Sequence, residues 1–232
     1  MNQKFLKSLL IFVAVLSFVS ASAQEKWTGI DRYAADNEKL MAAPADTARI
    51  VLLGNSITDF WPTRSPEFFK RHPQLVGRGI SGQTSHQMLV RFREDVVNLH
   101  PKAVVINCGT NDIAENHKIP YSEANTMGNI MSMVEIAKAN GIKVYLASVL
   151  PSKCMYWAPE KTNIADKVAS LNARIKAYAL QQGITYIDYY SSMVYGTERE
   201  LNPTYTKDGV HPTPDGYRLG MEPILQSVLH LE

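Results

Sequence analysis

Cysteine is scarce in this chain of 232 residues: Cys108 and Cys154 are the only two. Two cysteines set no disulfide framework, although an exported protein would permit one bond between them. Cys108 closes an aliphatic run and reads more readily as a small buried hydrophobe, although the sequence does not settle the pairing. Clustered positive charge is also missing. No block of five or more basic residues occurs, and nothing points to a nucleic-acid partner. The histidines at 72, 86, 100, 117, 211 and 230 show no H-E-x-x-H or comparable ligand spacing, so no metal and no cofactor is expected. Repeats, low-complexity tracts and long linkers are absent. Beyond the first residues, no apolar run approaches the roughly 20 residues needed to cross a bilayer.

Those first residues read as an address. Lys4 and Lys7 precede an apolar run at 9–19, and Ala21-Ser22-Ala23 follows. A basic start, a short apolar centre and an A-x-A site predict a secretory signal over residues 1–23, cut after Ala23. No cysteine near that site would carry a lipid anchor. The remaining residues, 24–232, suffice for one domain with a well-buried core. Removing two lysines and no acids from the 24 basic and 22 acidic residues leaves that domain formally neutral.

Five short apolar runs, at 50–53, 75–80, 103–108, 143–149 and 185–187, are rich in Val, Ile and Leu without clean alternation. That is the pattern of strands buried on both faces. Helical periodicity fills the segments between them, at 85–99, 122–140 and 161–182. Gly141 and Gly183 stop the latter two. A last helix is expected over 214–229, with Thr213 as its N-cap and Pro214 in its first position. Strands alternating with helices predict a parallel sheet covered on both faces. Ligands of such sheets sit beyond the carboxyl ends of the strands.

The residues at those ends are chemically pointed. After the first strand comes GNSIT, residues 54–58, in which Ser56 is either a helix cap or a nucleophile. After the second comes GISGQTS (79–85), with glycines that let backbone N–H groups approach a ligand. NCGTNDI (107–113) follows the third and offers the Asn111 amide. DGVHP (208–212) precedes the last helix and sets Asp208 three residues before His211, close enough to orient its ring. Each piece alone has a plain structural explanation. Their joint placement at the strand ends argues for a site.

GNSIT, GISGQTS, GTND and DGVHP, in this order, resemble the SGNH or GDSL-type hydrolases, over residues 49–220. The resemblance is nearest to the branch of platelet-activating-factor acetylhydrolase catalytic subunits and bacterial carbohydrate acetylesterases. It implies an α/β fold, a three-layer α/β/α sandwich with a central five-stranded parallel sheet of flavodoxin-like type. It also implies Ser56 as nucleophile, His211 as base and Asp208 as its partner. The oxyanion donors would be the Ser56 and Gly82 backbone N–H groups and the Asn111 side chain. Two positions depart from the family pattern: Asn55 replaces the usual Asp, and Gly77 stands where many relatives carry Asn. Thr58 occupies the place of the second glycine of a G-x-S-x-G elbow, so the α/β-hydrolase alternative is disfavoured.

The expected activity is hydrolysis of short acyl esters, acetyl above all, on a small-molecule or carbohydrate alcohol. The enzyme would act in the periplasm or outside the cell as a monomer or homodimer. Trp61, close after the serine, and Tyr156-Trp157, after the fourth strand, are candidates for an aromatic substrate rim. A lysophospholipase or thioesterase for longer chains, and a non-catalytic sugar-binding module, are the alternatives.

Overall fold

A computed structural model of the chain describes residues 27–43 and 48–231. The expected signal segment, residues 1–23, lies outside them. Five strands form one parallel sheet: β1 (Ile50–Gly54), β2 (Leu75–Gly79), β3 (Ala103–Ile106), β4 (Lys143–Ala147) and β5 (Thr185–Ile187), in the spatial order β2-β1-β3-β4-β5. Every residue of β1 and β3 is buried, which is why their sequences do not alternate. Successive side chains still part to opposite faces. Val51, Leu53, Val104 and Ile106 join Met88, Phe92, Ile130 and Leu171 on one face. Ile50, Leu52 and Val105 join Trp61, Phe68, Tyr217 and Leu225 on the other. Helices therefore cover both faces, and the architecture is the expected α/β/α sandwich.

Helix Glu123–Ala139 forms as expected, with the Ser122 side chain accepting from Asn125 N–H at its start. Helix Ile164–Gln181 begins later than its periodicity suggests, because Asn163 adopts a left-handed conformation with φ 56°. The segment at 85–99 is not one helix. It breaks into Ser85–Val90, Phe92–Asp95 and a 3-10 turn, Val97–Leu99. The first break falls at Arg91, whose side chain turns into the protein. The last helix is also interrupted. Gly216–Met221 is a π-helical turn, and regular helix resumes at Glu222–Leu229. Pro223 lies at the start of that regular stretch. It has no N–H to give back to an earlier carbonyl, a recurring cause of such widened turns. Thr213 does cap, its Oγ1 accepting from Gly216 N–H at 3.2 Å.

Cys108 is buried, Cys154 is exposed, and both are free thiols. Burial, and then the nearby Asp112 carboxylate, push the Cys108 thiol well above its ordinary pKa, so it stays protonated.

Candidate functional site

β1 ends at Gly54 and helix Ser56–Arg64 begins two residues later, so Ser56 sits in the first turn with no intrahelical acceptor for its N–H. The cap is Asn55. Its Oδ1 accepts from Ile57 N–H at 3.1 Å, and its carbonyl accepts from Thr58 and Asp59. The Ser56 hydroxyl is thereby left for other work. It lies 2.8 Å from Nε2 of His211, although 155 residues separate the two in sequence.

The far side of the imidazole is equally committed. His211 Nδ1 lies 2.8 Å from Asp208 Oδ2. A carboxylate can only accept, so Nδ1 carries the ring proton and Nε2 is left to accept the serine's. Asp208 Oδ1 also receives the N–H groups of Val210 (2.9 Å) and His211 (2.8 Å). Burial pushes the Asp208 carboxyl up, but these hydrogen bonds outweigh it and hold the group below its ordinary pKa. Thr206 closes the loop: its hydroxyl donates to the His211 carbonyl at 2.9 Å and accepts from Gly209 N–H at 3.0 Å. Thr206 was not legible in the sequence, because nothing distinguishes it from an ordinary loop threonine.

Ser56, Gly82, Asn111 and His211 line one cavity of about 230 Å³, together with Phe60, Ser81, Asn116, Tyr156 and Trp157. Gly82 has φ 81°, a conformation that favours glycine, and its carbonyl accepts from Asn116 Nδ2 at 3.0 Å. Asn111 donates one amide N–H to the Gln83 carbonyl at 2.9 Å, which fixes the amide plane and leaves its second N–H for the cavity. Asp112 beside it accepts from Ser85 N–H, Ser85 Oγ and Thr126 Oγ1, tying the third block to the second.

Trp157 is on the cavity wall as expected. Its ring centre is 6.0 Å from that of His211, and its Nε1 donates to Asn116 Oδ1 at 2.9 Å. Trp61 is not on the wall. It is 3% exposed, stacks on Tyr217 (ring centres 5.3 Å apart) and Phe68 (5.9 Å), and donates Nε1 to Glu222 at 3.2 Å. Five residues beyond Ser56 on a helix is about 140° away, so the side chain points to the core. Phe60, four residues on and on the serine's face, takes that place at 5.4 Å from the His211 ring. The i,i+4 spacing was a signal that sequence reading could have used.

Arg91 was missed entirely. It is fully buried, and its guanidinium donates to Gln83 Oε1 (2.6 Å), Asp95 Oδ2 (2.8 Å) and the carbonyls of Gly54 and Arg78 (both 3.0 Å). It thus fastens the ends of β1 and β2 to the segment bearing Gly82. Of the two family departures, Gly77 has a visible reason: a Cβ there would stand 3.3 Å from Pro62 Cγ, inside helix Ser56–Arg64. Asn55 does not, since its buried Nδ2 has no hydrogen-bond partner. Among the described residues no group of three or more His, Cys, Asp or Glu is arranged to hold a metal ion. No helix among them is long and apolar enough to cross a membrane.

Several known proteins resemble this chain in sequence and fold. A protein of Bacteroides fragilis NCTC 9343 is 53% identical, with 88% of this chain and 97% of that one covered and a TM-score of 0.84. A GDSL-like lipase of Bacteroides thetaiotaomicron VPI-5482 is 49% identical, over 88% of this chain and 98% of that one, at a TM-score of 0.83. An acetylxylan esterase of Geobacillus stearothermophilus shares the fold at 17% identity and a TM-score of 0.65, over 82% of this chain and 98% of that one. An uncharacterized lipoprotein of Bacillus subtilis (strain 168) is 33% identical over 79 residues, so the chain spans about a third of that relative's length. Residues 52–219 match the GDSL-like Lipase/Acylhydrolase family, and the chain belongs to it.

Proposed function

We propose that this protein is an exported serine esterase that removes short acyl groups, acetyl above all, from a carbohydrate or similar small alcohol. The observation that carries the reading is the unbroken line Ser56–His211–Asp208, with both links at 2.8 Å, opening on a confined cavity. His211 takes the Ser56 proton as Oγ attacks the ester carbonyl, then returns it to the leaving alcohol. Asp208 holds the tautomer and stabilises the imidazolium. The Ser56 and Gly82 N–H groups and the free Asn111 N–H receive the oxyanion, each such donor contributing about 2.7–4 kcal/mol in the transition state. Water then attacks the acyl-enzyme, with His211 again as base.

A cavity of about 230 Å³ walled by Phe60, Tyr156 and Trp157 supports a small acyl group beside a sugar-sized ring. Aromatic faces suit sugar rings, apolar on one side and polar at the edge. Export rests on residues 1–23: the lysines, the apolar run and the A-x-A site. The lipoprotein relative is in keeping with it. The test is hydrolysis of 4-nitrophenyl acetate by the wild type and by Ser56→Ala, with folding checked by circular dichroism. Turnover by the wild type, abolished in a folded Ser56→Ala variant, is expected. A folded variant with near-normal activity would overturn the reading.

A further inference from the structure

The geometry points to a cationic recess beside His211 that accepts an anionic group on the alcohol half of the substrate. The inference rests on the esterase reading. In that reaction the proton on His211 Nε2 passes to the leaving oxygen, so the alcohol must lie against the imidazole. His211 lines two recesses. One is the cavity containing Ser56; the other, of about 360 Å³, is lined by Arg64, Lys207, Asp208, Thr213 and Pro214. An alcohol long enough to extend beyond the first recess along His211 would meet the second.

The charges there are unbalanced. Arg64 is held in place: its Nη1 donates to the Pro212 carbonyl at 2.6 Å, and its guanidinium carbon stands 4.6 Å from the centre of the Phe60 ring. A guanidinium has five N–H donors, so most of the fork stays available. Lys207, immediately before Asp208, is exposed and lines the same recess. Among the described residues neither cation forms an ion pair. The one carboxylate in the recess, Asp208, is turned inward to the N–H groups of Val210 and His211 and to the imidazole. Asp215, on the adjoining rim, is paired with Arg218 at 2.8 Å. Two positive charges are thus left beside the leaving-group position without counter-charges of their own. A neutral alcohol makes no use of them. A carboxylate or phosphate does, through the guanidinium fork and the ammonium together.

The experiment compares kcat/KM for 4-carboxyphenyl acetate with that for 4-carbamoylphenyl acetate, a neutral ester of similar shape. It is run in the wild type, in Lys207→Gln and in Lys207→Glu, and taking ratios cancels the intrinsic reactivity of the two esters. The charged-to-neutral ratio should fall about two- to fivefold in Lys207→Gln, further in Lys207→Glu, and in the wild type on adding 0.5 M sodium chloride, as partly exposed ion pairs do. Acetylated methyl glucuronoside and acetylated glucose 6-phosphate, each against acetylated methyl glucoside, then distinguish the two sources of negative charge; preference for either supports the recess. Ratios unchanged among the three proteins and by salt, with both phenyl esters hydrolysed, overturn it. Hydrolysis of neither ester would instead mean that the esterase reading itself has failed.

Discussion

The guanidinium of Arg91 stands 3.0 Å from the carbonyl oxygen of Gly54, two residues before the proposed nucleophile. It is a charge with no exposure, and burial draws its pKa down even as Asp95 draws it back up. Replacing it with methionine should destabilise the fold by about 3–5 kcal/mol, because Asp95 loses its cation in a dry setting. Adding Asp95→Leu to that variant should restore much of the loss. Urea denaturation of the three proteins measures both effects, and an additive double variant would show that the pair is not coupled.

Asn111→Ala removes a donor without touching the proton relay. kcat should fall by a factor on the order of 10² to 10³ with little change in KM, since the oxyanion exists only on the way to the transition state. Steady-state kinetics on 4-nitrophenyl acetate read the split. A rise in KM at constant kcat would assign Asn111 to ground-state binding instead.

Asp208 gives the pH dependence. Its folded pKa lies below the ordinary carboxylate value, so its contribution to stability is present above about pH 3.9 and is lost as pH falls through the folded pKa. The melting-temperature advantage of the wild type over Asp208→Asn should therefore hold at neutral pH and shrink only below about pH 4. An advantage that is the same at pH 7 and well below pH 4 would contradict this.

The two tryptophans should behave oppositely. Trp61→Ala should cost about 3–5 kcal/mol of stability, as large core truncations do. Trp157→Ala should cost less stability than Trp61→Ala, because Trp157 is only half-buried, and should raise KM for acetylated xylo-oligosaccharides. If Trp157→Ala kinetics match the wild type on every ester tried, the aromatic wall plays no part in substrate binding.

Acyl preference is open to a direct scan of kcat/KM on nitrophenyl esters from two to twelve carbons. A site closed around acetyl should lose rate beyond about four carbons. An extended apolar channel would gain roughly 0.8 kcal/mol per methylene, and a maximum at eight carbons or more would favour a lysophospholipase.

The sheet was legible because it depends on local pattern plus one general rule, whereas the line Ser56–His211–Asp208 was expected from the resemblance of the four blocks. Runs without alternation mark strands buried on both faces, and ligand residues cluster after them. What escaped the sequence depends on direction in space. Trp61 lies near Ser56 along the chain but on another side of its helix, and Phe60 lies on the same side. Arg91 reads as one more charge on an exposed face until the chain kinks there and carries it between two strands. The last helix widens into a π turn at Gly216–Met221 inside a stretch whose apolar spacing otherwise runs on to Leu229.

The closeness of Gly77 to Pro62 couples two positions that belong to different elements, a strand and the helix after its neighbour. A side chain at 77 is crowded while proline stands at 62, and a ring at 62 is crowded once 77 has a side chain. Neither position has an intrinsic preference that can be assigned in isolation, because residues in contact do not contribute additively. A side chain at 77 would ask Pro62 to give by a few tenths of an ångström, and that shift would be passed to the helix that presents Ser56.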